Sequence, residues 1–387
     1  MKDVMISESV IYVGVDDKTI DLFESQYPVP NGVSYNSYVI LDDKLTVMDT
    51  VDARATDEWF ANLEKVIGDK DVSYLVVSHM EPDHAANIQK FVQKYPSAKI
   101  VGNAKTFTMM QQFFDFDIES RKVVVKEGDS LSLGQHTLTF YMAPMVHWPE
   151  VMVTYESFEK ILFSADGFGK FGALDAEEDW ACEARRYYFN IVGKYGVQVQ
   201  ALLKKAAALE IAMICPLHGP ILKENLGYYI GKYDVWSKYE PEDEGVLVAY
   251  ASIHGNTAKA AEKMKEMLEA KGAAKVVLTD LARCDVAEAV EDAFRYSKLV
   301  VAAASYDAGV FPPMEEFLMH LKSKNFQKRK VGVIENGTWA PSAAKCMKAI
   351  LETMKNVTIC DTTVTIKSVM KSDNVEAMEA LADELLA

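Results

Sequence analysis

The chain has 387 residues, of which 49% are apolar, so it is long enough to form two domains that each bury a sizeable core. Its formal net charge of −16 disfavours nucleic acid as a partner, because phosphate backbones are bound by surplus lysine and arginine. We find no long apolar run, signal-like N-terminus or lipidation motif, which predicts a soluble, cytoplasmic protein. The five cysteines are scattered and never form a Cys-x-x-Cys pair, which indicates a reducing compartment and argues against an iron–sulfur module.

The first informative segment is His79-Met80-Glu81-Pro82-Asp83-His84, which follows an apolar run at 74–78 that predicts a buried strand. In extended backbone the side chains of residues 79, 81 and 83 project to one side, Pro82 blocks early helix formation, and His84 turns away at the helix start. Imidazoles mixed with carboxylates suit a divalent first-row metal, and the high carboxylate share favours iron or manganese over thiolate-type zinc sites. The alternative is a solvated polar turn without a ligand.

One loop cannot close a site for two metals, so further ligands must come from later strand ends. His147, Asp166 and His218 each follow an apolar run and precede or enter a loop that contains glycine or proline. Each of them alone could be an ordinary loop residue or a packed histidine. Together with the first segment they predict a metal pair, in which Asp166 is suited to bridge two cations through its two carboxylate oxygens.

An acidic, proline-containing connector at 237–244 predicts a first domain at 1–240 and a second at 245–387. Strands and helices alternate in the second domain, and the predicted strands are 245–251, 275–278, 298–304, 330–334 and 363–366. Near-continuous apolar strands in this alternation predict an α/β fold with a doubly wound parallel sheet. The ligand of such a sheet lies at the carboxyl ends of its strands.

The loop Ser252–Thr257 offers hydroxyl and backbone N–H donors at the start of a helix predicted over 257–271, which is an anion cradle suited to a terminal phosphate. It is neither the Gly-x-Gly-x-x-Gly fingerprint nor a Walker loop. Tyr306 and Trp339 lie in the loops after the third and fourth strands and could cover a flat heterocycle, although either could be an ordinary core aromatic. The predicted cofactor-binding residues are Ser252, Ile253, His254, Gly255, Asn256, Thr257, Ser305, Tyr306, Asp307, Ala308, Gly309, Asn336, Gly337, Thr338 and Trp339.

The order His-x-Glu-x-Asp-His, followed by a separated His, Asp and His, resembles the metallo-β-lactamase fold in the form carried by flavodiiron proteins. The segments Asn36–Ile40, Leu162–Gly169 and Glu183–Tyr188 support this resemblance. It implies an N-terminal metallo-β-lactamase-like αββα sandwich. It also implies two iron ligand sets: His79, Glu81, His147 and Asp166 for one iron, and Asp83, His84, Asp166 and His218 for the other. Whether His84 ligates iron is left open by the sequence.

The second half resembles flavodoxin, with Ser252–Thr257 similar to the loop that binds the FMN phosphate. The joint resemblance implies an oxidoreductase that uses FMN and a diiron centre to reduce dioxygen to water, nitric oxide to nitrous oxide, or both. Tyr187 or Tyr188 resembles the family's tyrosine near the substrate pocket, and each could equally be a helix-face aromatic. The resemblance further implies a separate electron donor such as rubredoxin, and a head-to-tail homodimer or a dimer of dimers.

Two other functions are open at this point. The first is a dizinc hydrolase of the same fold fused to a flavodoxin electron carrier. Glu81 argues against it, because dizinc hydrolases of this fold usually carry histidine there, whereas a carboxylate adds charge and a hard ligand that stabilises oxidised iron. The second is a non-enzymatic flavin electron carrier with a degenerate front half.

Overall fold

The computed structural model describes residues 5–387, which form two compact units. The first unit comprises residues 5–187 and 197–233, and the second comprises residues 188–196 and 234–387. The segment 188–196 therefore belongs to the second unit, although it precedes the connector in sequence.

The first unit is built on two sheets. Its strands are β1 (Val10–Tyr12), β2 (Val15–Asp17), β3 (Leu22–Phe23), β4 (Tyr27–Pro28), β5 (Val33–Tyr35), β6 (Tyr38–Ile40), β7 (Thr46–Met48), β8 (Tyr74–Val76), β9 (Lys99–Gly102), β10 (Lys122–Val124), β11 (Ser130–Ser132), β12 (Thr137–Met142), β13 (Met152–Glu156), β14 (Ile161–Phe163) and β15 (Met213–Cys215). One sheet has the order β1-β6-β7-β8-β9-β10 and the other β11-β12-β13-β14-β15, while β2 pairs with β5 and β3 with β4. Strands β7 to β10 run parallel, and β14 pairs parallel with β15.

The helices that begin before residue 234 include an amphipathic first helix. They are α1 (Thr56–Ile67), α2 (Pro82–Ala85), α3 (Ile88–Lys94), α4 (Ala104–Phe113), α5 (Trp180–Tyr187), α6 (Gly196–Ala206) and α7 (Leu226–Ser237), with a 3-10 turn at Ala53–Ala55. In α1 the buried residues Trp59, Leu63 and Ile67 recur every four positions, so they form one apolar face.

The core of the first unit lies between its two sheets. Tyr38, Met48 and Val76 come from the first sheet and pack in one buried cluster with Phe140 and Phe163 from the second. Burial of apolar side chains from both inner faces stabilises the two sheets against each other, as in other sandwiches.

The second unit contains one doubly wound parallel sheet. Its strands are β16 (Asp243–Ala251), β17 (Val276–Asp280), β18 (Tyr296–Tyr306), β19 (Gly309–Val310), β20 (Lys330–Asn336) and β21 (Thr358–Ile366). Its helices are α8 (Asn256–Ala270), α9 (Val286–Arg295), α10 (Pro312–Ser323), α11 (Ala343–Leu351) and α12 (Ser372–Leu386). It also contains a π-helical turn at Tyr188–Val192 and a 3-10 turn at Gly193–Tyr195. The parallel order is β17-β16-β18-β20-β21, which is the flavodoxin-like order, and β19 pairs antiparallel with β18. The predicted doubly wound sheet is confirmed.

Two local expectations in the first unit are wrong. The apolar run at 142–146 is not a strand beyond Met142, so His147 lies on a loop several residues after β12 ends. Pro82 does not delay a helix but begins one, because proline at the first helical position loses no backbone hydrogen bond there. Asp83 therefore lies in a helical turn and not in extended backbone, whereas His84 lies in the first turn of a helix, as expected.

Candidate functional site

Six of the seven predicted ligands of the first unit lie beyond the carboxyl ends of three strands, β8 in one sheet and the parallel pair β14 and β15 in the other, and His147 lies on the loop after β12. Residues 79–84 follow β8, Asp166 follows β14, and His218 follows β15. Because β14 and β15 pair in parallel, with Phe163 beside Cys215, the loops that carry Asp166 and His218 leave the sheet at the same edge. This pairing explains why Asp166 and His218, which are distant in sequence, converge.

His79, Glu81, His147 and Asp166 form the first group of converging side chains. His147 Nε2 lies 3.0 Å from Glu81 Oε2 and 3.1 Å from Asp166 Oδ2. His79 Nε2 lies 3.2 Å from Glu81 Oε2 and 3.4 Å from Asp166 Oδ2. Two imidazole nitrogens and two carboxylate oxygens thus face one point, which is a donor set suited to iron.

Asp83, His84 and His218 form the second group. Asp83 Oδ2 lies 3.3 Å from His84 Nε2 and 3.2 Å from His218 Nε2, and the two imidazole Nε2 atoms are 3.0 Å apart. Asp166 Oδ1 lies 3.3 Å from His84 Nε2, whereas Asp166 Oδ2 faces the first group. Asp166 therefore presents one oxygen to each group, as a bridging carboxylate would. The imidazole of His84 points into the site and not away from it.

The buried atoms of this cluster fit a pair of cations. Among the residues that the structure describes, both carboxylate oxygens of Asp83 and of Asp166 and the Nε2 atom of His147 are buried without a hydrogen-bond partner. Burying polar atoms without a partner costs free energy, unless a ligand such as a metal ion binds them. Burial by itself raises the pKa of the Asp166 carboxyl, but the imidazoles of His79, His147 and His84 outweigh burial and hold that pKa well below its ordinary value. The central carboxylate is therefore ionised and able to bind metal.

Two buried acids that sequence reasoning did not assign support the ligands. Glu150 Oε1 lies 2.7 Å from His79 Nδ1 and accepts the backbone N–H of Met80 at 2.8 Å. A carboxylate behind a ligating histidine orients the ring and raises its basicity. Sequence reasoning could have found Glu150 from its position three residues after His147, on the same loop. Asp49 accepts the N–H of Ser78 at 2.6 Å, and burial raises the pKa of Asp49 to about 6.

The two candidate tyrosines lie in different units. Tyr187 is buried in the first unit, with its ring centroid 5.6 Å from that of His218. Burial, followed by the charges of Asp166 and Asp83, raises the pKa of Tyr187 well above its ordinary value, so its hydroxyl stays protonated. Tyr188 belongs to the second unit, where it packs 5.5 Å from Trp236. The structure brings only Tyr187 beside the histidine cluster.

The second unit has a cavity of about 750 Å³ at the carboxyl ends of its parallel strands. That volume is typical of cofactor sites. All predicted cofactor-binding residues line it except Gly255 and Gly309. The lining residues that sequence reasoning missed are Ala304, Ala340, Pro341, Ser342 and Ser368. Ser368 follows β21, so the rule that ligands bind at strand ends could have found it.

The details of this cavity suit a phosphate and a flat ring. Gly255 has a φ of 87°, which favours glycine, and its N–H donates to Ser252 Oγ at 3.0 Å just before α8 begins. The N-terminus of this 15-residue helix provides backbone N–H groups for an anion. A Cβ added at Gly337 would lie 2.8 Å from Pro341 Cα, so the wall tolerates no side chain there. Trp339 is 91% exposed at the rim, so its face is available to a ring.

Protein-family models match both halves of the chain. The family model of the ODP family beta lactamase matches residues 33–219, and the Flavodoxin model matches residues 248–379. A nitric oxide reductase from Moorella thermoacetica is 28% identical, with 99% of this chain and 98% of that protein covered. The rubredoxin-oxygen oxidoreductase from Megalodesulfovibrio gigas is 27% identical, with 100% of this chain and 98% of that protein covered.

Solved structures agree over nearly the whole chain. The rubredoxin oxygen:oxidoreductase from Desulfovibrio gigas superposes with a TM-score of 0.91 at 27% identity, covering 99% of this chain and 98% of that chain. A flavo di-iron protein variant from Thermotoga maritima gives a TM-score of 0.87 at 25% identity, covering 97% and 96%. Fold and site together define a protein that joins a metallo-β-lactamase-like domain to a flavodoxin-like domain.

The chain belongs to the flavodiiron proteins. Membership implies FMN and a diiron centre as its cofactors. Within residues 5–387, no helix has both the length and the apolar character that a membrane span requires.

Proposed function

We propose that this protein reduces dioxygen to water, nitric oxide to nitrous oxide, or both, with electrons that enter through FMN. The observation that carries the proposal is one chain with two groups of imidazoles and carboxylates that share Asp166, together with a flavodoxin-like cavity. The names of the similar proteins, a nitric oxide reductase and a rubredoxin-oxygen oxidoreductase, support it. The residues that we propose for the metal pair are His79, Glu81, Asp83, His84, His147, Asp166 and His218.

The protein residues perform the binding, positioning and proton chemistry. When bound, two ferrous ions and reduced FMN together supply the four electrons that dioxygen reduction requires, and the irons also supply open coordination positions. Asp166 would serve as a ligand at both positions, because one of its oxygens faces each group. Glu81 would contribute a hard oxygen ligand that stabilises oxidised iron. Tyr187 keeps its proton and can donate a hydrogen bond toward substrate, while the buried histidine cluster excludes water.

The hydrolase alternative is disfavoured because the similar proteins are oxidoreductases and because Glu81 stands where dizinc hydrolases usually carry histidine.

The carrier alternative predicts that gas turnover does not depend on the metal site. Replacing His147 or Asp166 by alanine should abolish gas reduction and spare FMN, whereas replacing Thr257 or Trp339 should release flavin and leave iron in place. Retained turnover in Asp166→Ala would favour the carrier.

We also propose a separate donor, rubredoxin or a similar carrier, and a cytoplasmic, head-to-tail homodimer or dimer of dimers. The dimer is proposed because electron tunnelling fades steeply with distance, and the candidate metal site and the flavin cavity lie on different units of the chain. Activity measured against dilution tests it. A monomeric form that turned over as fast as the oligomer would contradict the inter-subunit route.

The decisive experiment mixes the fully reduced protein anaerobically with each gas separately in a stopped-flow instrument. We expect flavin and iron to be reoxidised together, with water or nitrous oxide as product. Rapid reoxidation by neither gas, or ester hydrolysis by a zinc-containing protein, would contradict the proposal. The relative rates with the two gases measure the substrate preference.

A further inference from the structure

The second group of candidate ligands includes His218, which lies within residues 216–219 after β15, a segment that forms no helix or strand. We call this segment the His218 loop. Asn36 is fully buried between β5 and β6 and contacts both ends of the loop. Its Nδ2 atom donates to the carbonyl of Pro216 and to that of Gly219, each at 2.8 Å. One side chain therefore bridges the loop on either side of its histidine.

The neighbours of Asn36 fix the orientation of its amide. The Tyr12 hydroxyl donates to Asn36 Oδ1 at 3.1 Å, so the two Nδ2 protons face the loop, where two carbonyls accept them. The backbone N–H of Asn36 donates to the carbonyl of Leu217 at 2.8 Å. The Tyr38 hydroxyl gives the carbonyl of Pro216 a second donor at 2.5 Å. All three N–H donors of Asn36 are thus used by the His218 loop.

The imidazole of His218 is held from the same segment. Its Nδ1 lies 2.7 Å from the carbonyl oxygen of Ser34, so Nδ1 carries the proton and Nε2 is free to bind metal. Ser34 Oγ also accepts the N–H of Gly219 at 2.7 Å. By contrast, within the part of the chain that the structure describes, the Nδ1 atom of His84 is buried without a hydrogen-bond partner. The second group therefore has one anchored imidazole, and the anchor is the segment that contains Asn36.

We infer that Asn36 is a positioning residue for the second metal position, because it fixes the His218 loop so that Nε2 of His218 faces Asp83 at 3.2 Å. The inference rests on the proposed function and its ligand set. The first position takes its imidazoles from His79 and His147, and Asn36 makes no hydrogen bond to either of them. A ligand whose orientation depends on its supporting hydrogen bonds binds metal more weakly once they are lost. Loss of Asn36 should therefore act on one metal position and not on both.

The test uses three single variants of the full-length, FMN-loaded protein. Asn36→Leu keeps the branched shape of the side chain and removes its donors without adding charge. Ser34→Ala is the milder variant, since it removes only the acceptor of the Gly219 N–H. Asn62→Leu is the matched control, because Asn62 lies in α1 of the same unit and donates to the carbonyl of Gly14 at 3.0 Å, outside both ligand groups.

The measurement is an anaerobic titration of iron-free protein with isotope-enriched Fe²⁺, in which Mössbauer spectra resolve the two positions. We expect the affinity of the second position to fall about 10- to 100-fold in Asn36→Leu and about threefold in Ser34→Ala. The first position, and both positions of Asn62→Leu, should stay within about twofold. In iron-free protein, the Nδ1 proton of His218 gives a downfield NMR signal that should exchange with solvent about tenfold faster in Asn36→Leu.

The same change in a protein that lacks His218 separates positioning from a general loss of stability. His218→Ala should bind iron at the first position only. Adding Asn36→Leu should then change that affinity by less than about twofold, because the group that Asn36 positions is gone. A further tenfold loss in that background would overturn the inference. Unchanged affinity at the second position in Asn36→Leu would also overturn it, and if urea denaturation shows that this variant does not fold, unchanged affinity in Ser34→Ala does so instead.

Gas consumption by the unmodified protein with a neutral photochemical reductant separates this inference from the proposed function. If gas is consumed but the variants keep the second iron with unchanged affinity, only the positioning inference fails. If the second iron is weakened as expected but the unmodified protein, loaded with both irons, consumes neither gas, only the proposed function fails.

Discussion

Replacing Glu150 by glutamine tests whether a buried carboxylate behind His79 holds that histidine ready for metal. Glu150 Oε1 lies 2.7 Å from His79 Nδ1 and 2.8 Å from the Met80 nitrogen. An amide oxygen can accept both hydrogen bonds, so Glu150→Gln keeps these two contacts and removes the charge, while its amide nitrogen takes the buried place of Oε2. Glu150→Ala removes the charge and both contacts. Loss of such a partner typically weakens metal binding 10- to 100-fold. We therefore expect iron binding weaker by about tenfold in the glutamine variant and about a hundredfold in the alanine variant, or about 1.4 and 2.8 kcal/mol.

The assay is an anaerobic titration of metal-free protein with Fe²⁺ against a chelator of known affinity. Glu156→Gln is the matched control, because Glu156 is also fully buried and its Oε1 lies 3.1 Å from His136 Nδ1, in neither of the two ligand groups. Urea denaturation of the same samples measures the free energy of unfolding. Should Glu156→Gln weaken iron binding as much as Glu150→Gln, the effect would be a general loss of stability and the reasoning would be refuted.

Three further predictions concern the flavin wall, a buried acid and the site tyrosine. Gly337→Ala should weaken FMN binding about tenfold in a fluorescence titration, because its Cβ would lie 2.8 Å from Pro341 Cα. Gly309→Ala is the control, since its nearest contact is at 3.4 Å. The pKa of Asp49 is about 6 in the folded protein and about 3.9 when unfolded, so folding retains the proton, and the contribution of Asp49 to the free energy of unfolding of metal-free protein falls by up to about 3 kcal/mol as pH rises from about 4 to 6. Urea denaturation should show that Asp49→Asn removes this contribution from the slope, and an unchanged slope would exclude Asp49 as a source. Tyr187→Phe should slow gas turnover about tenfold at unchanged iron content, through loss of one hydrogen-bond donor; iron loss in parallel would assign Tyr187 a structural role.

The sequence alone identified the features that depend on local pattern. Alternating apolar strands and helices predicted the doubly wound sheet, and its strand ends located most of the flavin cavity, including Tyr306 and Trp339. In the first unit, histidines and acids after apolar runs pointed to His79, Asp166 and His218. The sheet is confirmed, and the predicted site residues lie together in the structure, because strand propensity and side-chain chemistry can be read from neighbouring residues.

The arrangement of these residues in space was decided only by the tertiary structure. Asp83 faces His218 because the segment after β8 in one sheet meets the loop after β15 in the other, which no local pattern specifies. Glu150 meets His79 for the same reason. Distances between residues far apart in the chain depend on strand order and register, which are set by burial of the whole core.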